Sequence, residues 1–362
     1  MTTEARKRCC DAAPVVNYQV PESGNPFIHL PGRSELGDRR LTVAAWCWRV
    51  SPFLSRYSAY ALIGSAILGA ASSASAAILM VGQDRAFHAP SEAARVVQSG
   101  DTVRIAPGTY FDCAVWTTND VTVEGSGPGV VLADKSCQGK GIFVIYANDV
   151  RVKNLTFKGA RVPNGNGAGI RAEGGSLTIE SSKFIDNEDG ILGGIKPGSS
   201  IIIRDSEFDH NGTCIQMNGC AHGVYVGHIA LLRIERSTFF NTQVAHHIKS
   251  RARRTELIDN HIEDGPNGTA SFEVDVPNGG ALIMVGNWLE KGPKNQNHSA
   301  AVIIGEEGVS QLTSELIFKD NVLINDGPPT VFLKNLTATP AELTGNEFKG
   351  PVKALTGRGT IR

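Results

Sequence analysis

The feature that most narrows the possible folds is a short pattern that recurs eight times from Val152 onward. Each unit has an apolar residue, two further residues, Asn or Ser (Leu in the first unit alone), one residue, and a large apolar residue. The units are Val152–Phe157, Ile179–Phe184, Ile203–Phe208, Ile234–Phe239, Leu257–Ile262, Met284–Leu289, Phe318–Leu323 and Leu343–Phe348. Their fourth positions read Leu155, Ser182, Ser206, Ser237, Asn260, Asn287, Asn321 and Asn346, and successive units start 27, 24, 31, 23, 27, 34 and 25 residues apart. Periods in this range mean stacked units, none of which can bury an apolar face alone. Helical repeats of similar length are disfavoured, because the apolar positions alternate, β-branched residues dominate, and Gly, Asn and Asp interrupt every few residues. Each unit is then two or three short strands, and the whole is a parallel β-solenoid. The Asn/Ser column should sit at a turn, where stacked side chains bond along the ladder and satisfy backbone groups left by the bend.

An open solenoid end exposes strand edges and needs a cover. Pro90–Gln98 supplies one, with Ser91 as N-cap of a short amphipathic helix. Ser99–Tyr110 follows as first strand and turn. This run and the coils behind it resemble the right-handed parallel β-helix proteins of the pectin-lyase-like superfamily, over about Ala86 to the C-terminus. The resemblance implies an all-β, right-handed parallel β-helix with a short N-terminal helical cap. It does not choose an activity, since the superfamily includes lyases, hydrolases, epimerases, esterases and phage or adhesin proteins.

Ahead of the solenoid, Tyr57–Ala71 is an apolar run preceded by Arg49 and Arg56 and followed by the small residues Ser72–Ala77 with an Ala-x-Ala pattern. That order reads as a secretory signal peptide. The expected division is a leader over 1–48, a signal peptide over 49–76 and the β-helix domain over 77–362. The leader, without periodicity, is read as upstream sequence with a true start near Leu41 or Val50. The competing reading is a membrane anchor holding the domain outside the cytoplasm, the one route by which a membrane would be a partner. Past residue 76 the chain carries 27 Lys/Arg against 31 Asp/Glu, so the exported part is mildly acidic. Export leaves Cys113, Cys137, Cys214 and Cys220, an even set in an oxidising compartment, expected to pair as Cys113–Cys137 and Cys214–Cys220.

Six of the nine histidines fall between His210 and His261. Stacking the second strand of each coil on its inward residue aligns Ile170, Ile191, Val224, Ile248 and Val274. One residue earlier the column reads Gly169, Gly190, Gly223, His247 and Glu273; one residue later it reads Arg171, Leu192, Tyr225, Lys249 and Asp275. Strand alternation sends both columns outward together. His222 and His246 share the corner before the strand, with Asp189 one rung back. Gly190 and Gly223 would leave a bare shelf for a sugar ring, and insertions within Asn211–Cys220 and Lys291–Ser310 would wall it.

A base, a cation for the neighbouring carboxylate and an acid are what β-elimination or C5 epimerisation of a uronate polymer requires. Lys249 is the expected base, Arg251 the carboxylate clamp, and Tyr225 or His247 the acid. His222, His246, Arg171, Gly190 and Gly223 would contact substrate. Lys249-Ser250 with Arg251 close behind is similar to the Lys-Ser motif of the alginate lyase and chondroitinase B family; Glu273 and Asp275 stand where that family would have an arginine. The alternatives are a glycoside hydrolase using Glu273 and Asp275, or a polysaccharide-binding or structural solenoid without catalysis. The superfamily resemblance also allows Ca²⁺ at Glu273 and Asp275, two carboxylates that alone fall short of a full site. Net charge of −1 and the absence of a basic stripe argue against a nucleic-acid partner; a monomer is expected.

Overall fold

The structure is a computed structural model that describes residues 75–215 and 219–362. The leader and export segment therefore lie, apart from Ser75 and Ala76, outside the described residues. Three parallel sheets of twelve, ten and ten strands run the length of the domain. The chain visits them in fixed order. In one coil, Leu177–Glu180 joins the twelve-stranded first sheet, Lys183–Ile185 the second, and Asp189–Gly193 the third. The only antiparallel strand pair among the described residues is Thr213–Ile215 with Gly219–Ala221, beside one isolated antiparallel bridge between Cys137 and Gly141.

The repeat explains the corner between the first and second sheets. Its third residue adopts positive φ in every unit, from 46° at Arg236 to 68° at Gly286. That left-handed residue turns the chain through the bend, and the Asn/Ser column behind it satisfies what the bend exposes. Asn260 donates to Asn287 (3.0 Å), Asn287 to Asn321 (2.8 Å) and Asn321 to Asn346 (2.9 Å). Backbone amides along the same column are also met: Ser237 N–H donates to Asn260 Oδ1, Asn260 N–H to Asn287 Oδ1, Asn287 N–H to Asn321 Oδ1 and Asn321 N–H to Asn346 Oδ1, each at 3.0 Å. The expected ladder is present. Where Leu155 departs from it, Asn154 bonds the Gly125 and Gly127 carbonyls instead.

Inside, the last apolar residue of each unit builds a second ladder. Phe157, Phe184, Phe208 and Phe239 stack with ring centroids 5.2, 4.7 and 4.5 Å apart. All four are fully buried, so the stack combines apolar burial with offset ring contact.

At the N-terminal end two expectations are corrected. The first strand is Ile78–Val81, which pairs with Thr102–Ile105, so the sheet begins one strand earlier than Ser99–Tyr110. The helix is Pro90–Ala94, with extended Ala89 at its N-cap and Pro at its first position. Ser91 lies inside the helix, and its amide donates to Asp112 Oδ2 at 2.8 Å. Proline at this position loses no bond, because the first helical amides are unpaired anyway. Both disulfides form as expected, Cys113–Cys137 across adjacent coils and Cys214–Cys220 within the hairpin. No helix among the described residues is long and apolar enough to cross a membrane.

Candidate functional site

The third sheet carries the site, and its register follows the inward column. Ile170 pairs with Ile191, Ile191 with Val224, Val224 with Ile248, and Ile248 with Val274, all fully buried. The next column is the expected rung set: Tyr225 opposite Lys249, and Lys249 opposite Asp275. Six of the expected residues gather on this outer face: His222, Tyr225, His246, Lys249, Arg251 and Asp275.

Their contacts make one connected cluster. Lys249 Nζ lies 3.1 Å from Asp275 Oδ2 and 2.9 Å from Glu307 Oε1. Arg251 holds the other Glu307 oxygen at 2.6 Å, and its Nε donates to the Tyr225 hydroxyl at 3.0 Å. The Arg251 nitrogen that meets Glu307, Nη1, also donates to Asn278 Oδ1. Glu307 thus places one carboxylate between the two cations. Sequence reasoning missed it, although Glu306-Glu307 stands between Gly305 and Gly308 inside the longest repeat interval, where a loop was expected.

Burial and charge set the protonation states. Burial alone would lower Lys249, but Asp275 and Glu307 outweigh it and hold the ammonium above its usual pKa. Burial pushes the Asp275 carboxyl up to about 7 against the pull of Lys249, so it titrates near neutrality. Glu307 goes the other way: burial is overridden by Arg251 and Lys249, which keep it ionised.

The two corner histidine rings accept backbone hydrogen bonds at Nδ1. His246 N–H donates to His222 Nδ1 and Phe272 N–H to His246 Nδ1, both at 3.1 Å. With Nδ1 accepting, the ring proton of each neutral imidazole sits on Nε2. Burial, followed by the Lys249 charge at His222 and by His222 itself at His246, holds both well below the usual histidine pKa. The rings stack at 4.9 Å, and Asp189 Oδ1 accepts the His222 amide at 2.6 Å. His246 Nε2 points to Asp275 Oδ2 at 3.5 Å. Glu306 also approaches His246 and Asp275, but a protonated Nε2 has no lone pair for a metal ion.

The remaining expected residues are not in this cluster. Arg171 lies two rungs away from Tyr225 and pairs with Glu173, which also holds Lys140. His247 and Glu273, expected on the outer face, are fully buried at the corner between the second and third sheets. The strands here begin at Ile248 and Val274. The residues just before them lie on the bend, where alternation no longer applies. There Glu273 meets Lys291 and His247 rather than Asp275, so the two carboxylates expected to share Ca²⁺ or a hydrolytic mechanism do not converge. Gly190 and Gly223 are likewise no shelf. A Cβ on Gly190 would come within 2.8 Å of Phe208, and one on Gly223 within 2.5 Å of the His247 carbonyl. They are glycine because the coils pass too close for a side chain.

No protein-family model matches the chain. No curated protein matches it by sequence. Among solved structures it is similar to an alginate lyase from Paenibacillus sp. strain FPU-7, with 16% identity, 77% of this chain and 99% of that chain covered, and a TM-score of 0.47. It is also similar to a pectin methylesterase from Aspergillus niger, with 11% identity, coverage of 79% and 92%, and a TM-score of 0.40. For the A-module of a mannuronan C-5 epimerase from Azotobacter vinelandii the values are 13%, 72% and 91%, and 0.39. The architecture is a parallel β-helix.

Proposed function

We propose that this chain acts on an acidic, uronate-containing polysaccharide, removing the C5 proton in a β-elimination or a C5 epimerisation. The observation that carries the reading is the Glu307 carboxylate held between Lys249 and Arg251 at 2.9 and 2.6 Å. A uronate carboxylate presents the same charge and geometry, and fixing it between two cations stabilises the negative charge that develops on loss of the C5 proton. Glu307 must then yield its place to substrate.

The resting charge of Lys249 changes its role from the one expected. An ammonium flanked by Asp275 and Glu307 is a proton donor and clamp, so Lys249 delivers the proton to the leaving oxygen or the opposite face. Tyr225, its phenol proton first passed to solvent, takes the C5 proton as a phenolate, and the Arg251 guanidinium beside its oxygen stabilises that charge. His222 and His246 present Nε2–H groups to sugar hydroxyls. The domain works outside the cytoplasm, a reading that the two disulfides support. Pro90–Ala94 covers the first coils as their cap.

The purified chain should be incubated with polymannuronate, polyguluronate, polygalacturonate and glycosaminoglycans. Ultraviolet absorbance reports unsaturated ends and proton NMR reports epimer content. Appearance of either in one polymer supports the reading. Binding without chemical change in all of them would place the chain among non-catalytic solenoids.

A further inference from the structure

The sealed corner beneath the site holds charge that nothing in the proposed reaction uses. His247, Asp264 and Glu273 are fully buried, and so is Lys291. His247 Nε2 lies 3.1 Å from Asp264 Oδ1 and 3.2 Å from Glu273 Oε2. Those three ligand atoms all fall within 4.8 Å of one another. Around them the supporting bonds are complete. His247 Nδ1 pairs with the Thr242 hydroxyl at 2.8 Å. The second Asp264 oxygen accepts Gly292 N–H and the Asn295 side-chain amide, at 3.0 and 2.7 Å. Lys291 Nζ faces Glu273 Oε1 at 3.3 Å and donates to the Ser271 carbonyl at 2.9 Å. Glu273 Oε2, by contrast, makes no hydrogen bond, although it is buried and aimed at the imidazole.

We propose that His247 Nε2, Asp264 Oδ1 and Glu273 Oε2 form a structural site for one divalent first-row transition ion such as Zn²⁺ or Mn²⁺. With Nδ1–H donated to Thr242, the Nε2 lone pair faces the two carboxylate oxygens. Ligand bonds of about 2.0–2.1 Å put neighbouring ligand atoms roughly 3 Å apart, the spacing seen from Nε2 to each oxygen. One imidazole with two carboxylates suits such an ion, and the imidazole disfavours Ca²⁺ and Mg²⁺, which take oxygen. Thr242 and Asn295 supply the outer bonds that fix ligand orientation in metal sites.

Charge balance points the same way. Asp264, Glu273 and the adjoining buried Glu290 carry three formal negative charges against the single charge of Lys291. Two positive charges are wanting, as one divalent ion or as two protons. The ion would tie together the coils that carry Lys249 and Asp275, each two residues beyond a ligand.

The test uses tag-free full chain, denatured with its disulfides intact in the presence of chelator. It is then refolded with excess Zn²⁺ or Mn²⁺, or with chelator alone, and desalted. Metal by mass spectrometry and thermal unfolding are both read. The site predicts close to one equivalent of ion with one of the two metals and a higher midpoint for that form. His247→Gln and Asp264→Asn, refolded alike, should lose both. Wild type that refolds with neither ion retained and an unchanged midpoint would overturn the proposal and leave the corner to protons. So would an ion retained equally by His247→Gln, because it would then sit elsewhere. The wild-type measurement decides even if the variants fail to fold.

Discussion

Two charged clusters lie where the same two coils enter the third sheet, yet one reaches solvent and the other is sealed. Lys249 covers a buried Asp275 and meets solvent beside Arg251 and Glu307; His247 and Glu273, each two positions earlier in sequence than Lys249 and Asp275, are buried at the corner. The residue types are nearly the same: histidine, lysine and carboxylates in contact. What separates them is what the second sheet brings opposite. Along the N-terminal coils its inward residue is Phe157, Phe184, Phe208 or Phe239, and Gly169 and Gly190 leave the rings of Phe184 and Phe208 room. Once the phenylalanines give way to Ile262 and Leu289, the freed space is taken by His247 and Glu273. The outer cluster is therefore reached by solvent at Lys249, Arg251 and Glu307, while the inner one is fixed by packing.

The comparison is broken first at Tyr225. Tyr225→Phe should reduce turnover on the responsive polymer by about 10²–10⁴-fold, as expected for loss of a positioned acid or base, with unchanged thermal unfolding. Lys249→Ala should lower turnover likewise, with some loss of stability because it leaves the buried Asp275 carboxyl without its cation. A stability loss from Tyr225→Phe would mean that the outer face is structural too.

The inner corner should respond in the opposite way. Glu273→Ala leaves the buried Lys291 ammonium with only the Ser271 carbonyl, which should cost about 3–5 kcal/mol, read as a lower unfolding midpoint. If Glu273→Ala unfolds like wild type, the corner is not the rigid partner in this comparison.

A third experiment sharpens the contrast through pH. Asp189 is fully buried with Oδ2 unpaired, and burial pushes its carboxyl up to about 8. Folded protein therefore binds a proton that unfolded protein releases near pH 4. That contribution is present at low pH and lost as pH rises through about 8. Asp189→Asn keeps the acceptor for the His222 amide and removes the charge, so it should raise the unfolding midpoint at pH 8 more than at pH 5. Equal shifts at both would deny that Asp189 is neutral when folded.

The smallest expected effect is on the pH profile of kcat/KM. Asp275 titrates near 7; above that its charge holds Lys249 and competes with a substrate carboxylate. Rate should fall as pH rises through this range, by a few fold, and Asp275→Asn should flatten the step. A step unchanged in that variant would assign it to another group.

Much of this was legible in the sequence, and the failures share a cause. Asn260, Asn287 and Asn321 announce their ladder because a buried bend must be satisfied by side chains at a fixed place in every coil. Tyr225, Lys249 and Asp275 could be set in register because alternation holds within strands. It fails at His247 and Glu273, which stand just outside them, and strand ends are what a sequence marks least clearly. The glycines were visible, but their meaning depended on the Phe column across the corner. Glu307 lay in an expected loop; its arrival between Lys249 and Arg251 depends on how that loop folds back, which no local pattern states.

The account turns on the fate of the hydrogen at C5. Polymer incubated with wild-type chain and with Tyr225→Phe in D₂O, then examined by NMR, tests it directly. Wild type should remove that hydrogen, leaving either an unsaturated end or deuterium at C5, and Tyr225→Phe should leave it in place. Polymer shortened by wild type with every C5 hydrogen retained would mean hydrolysis and contradict the account.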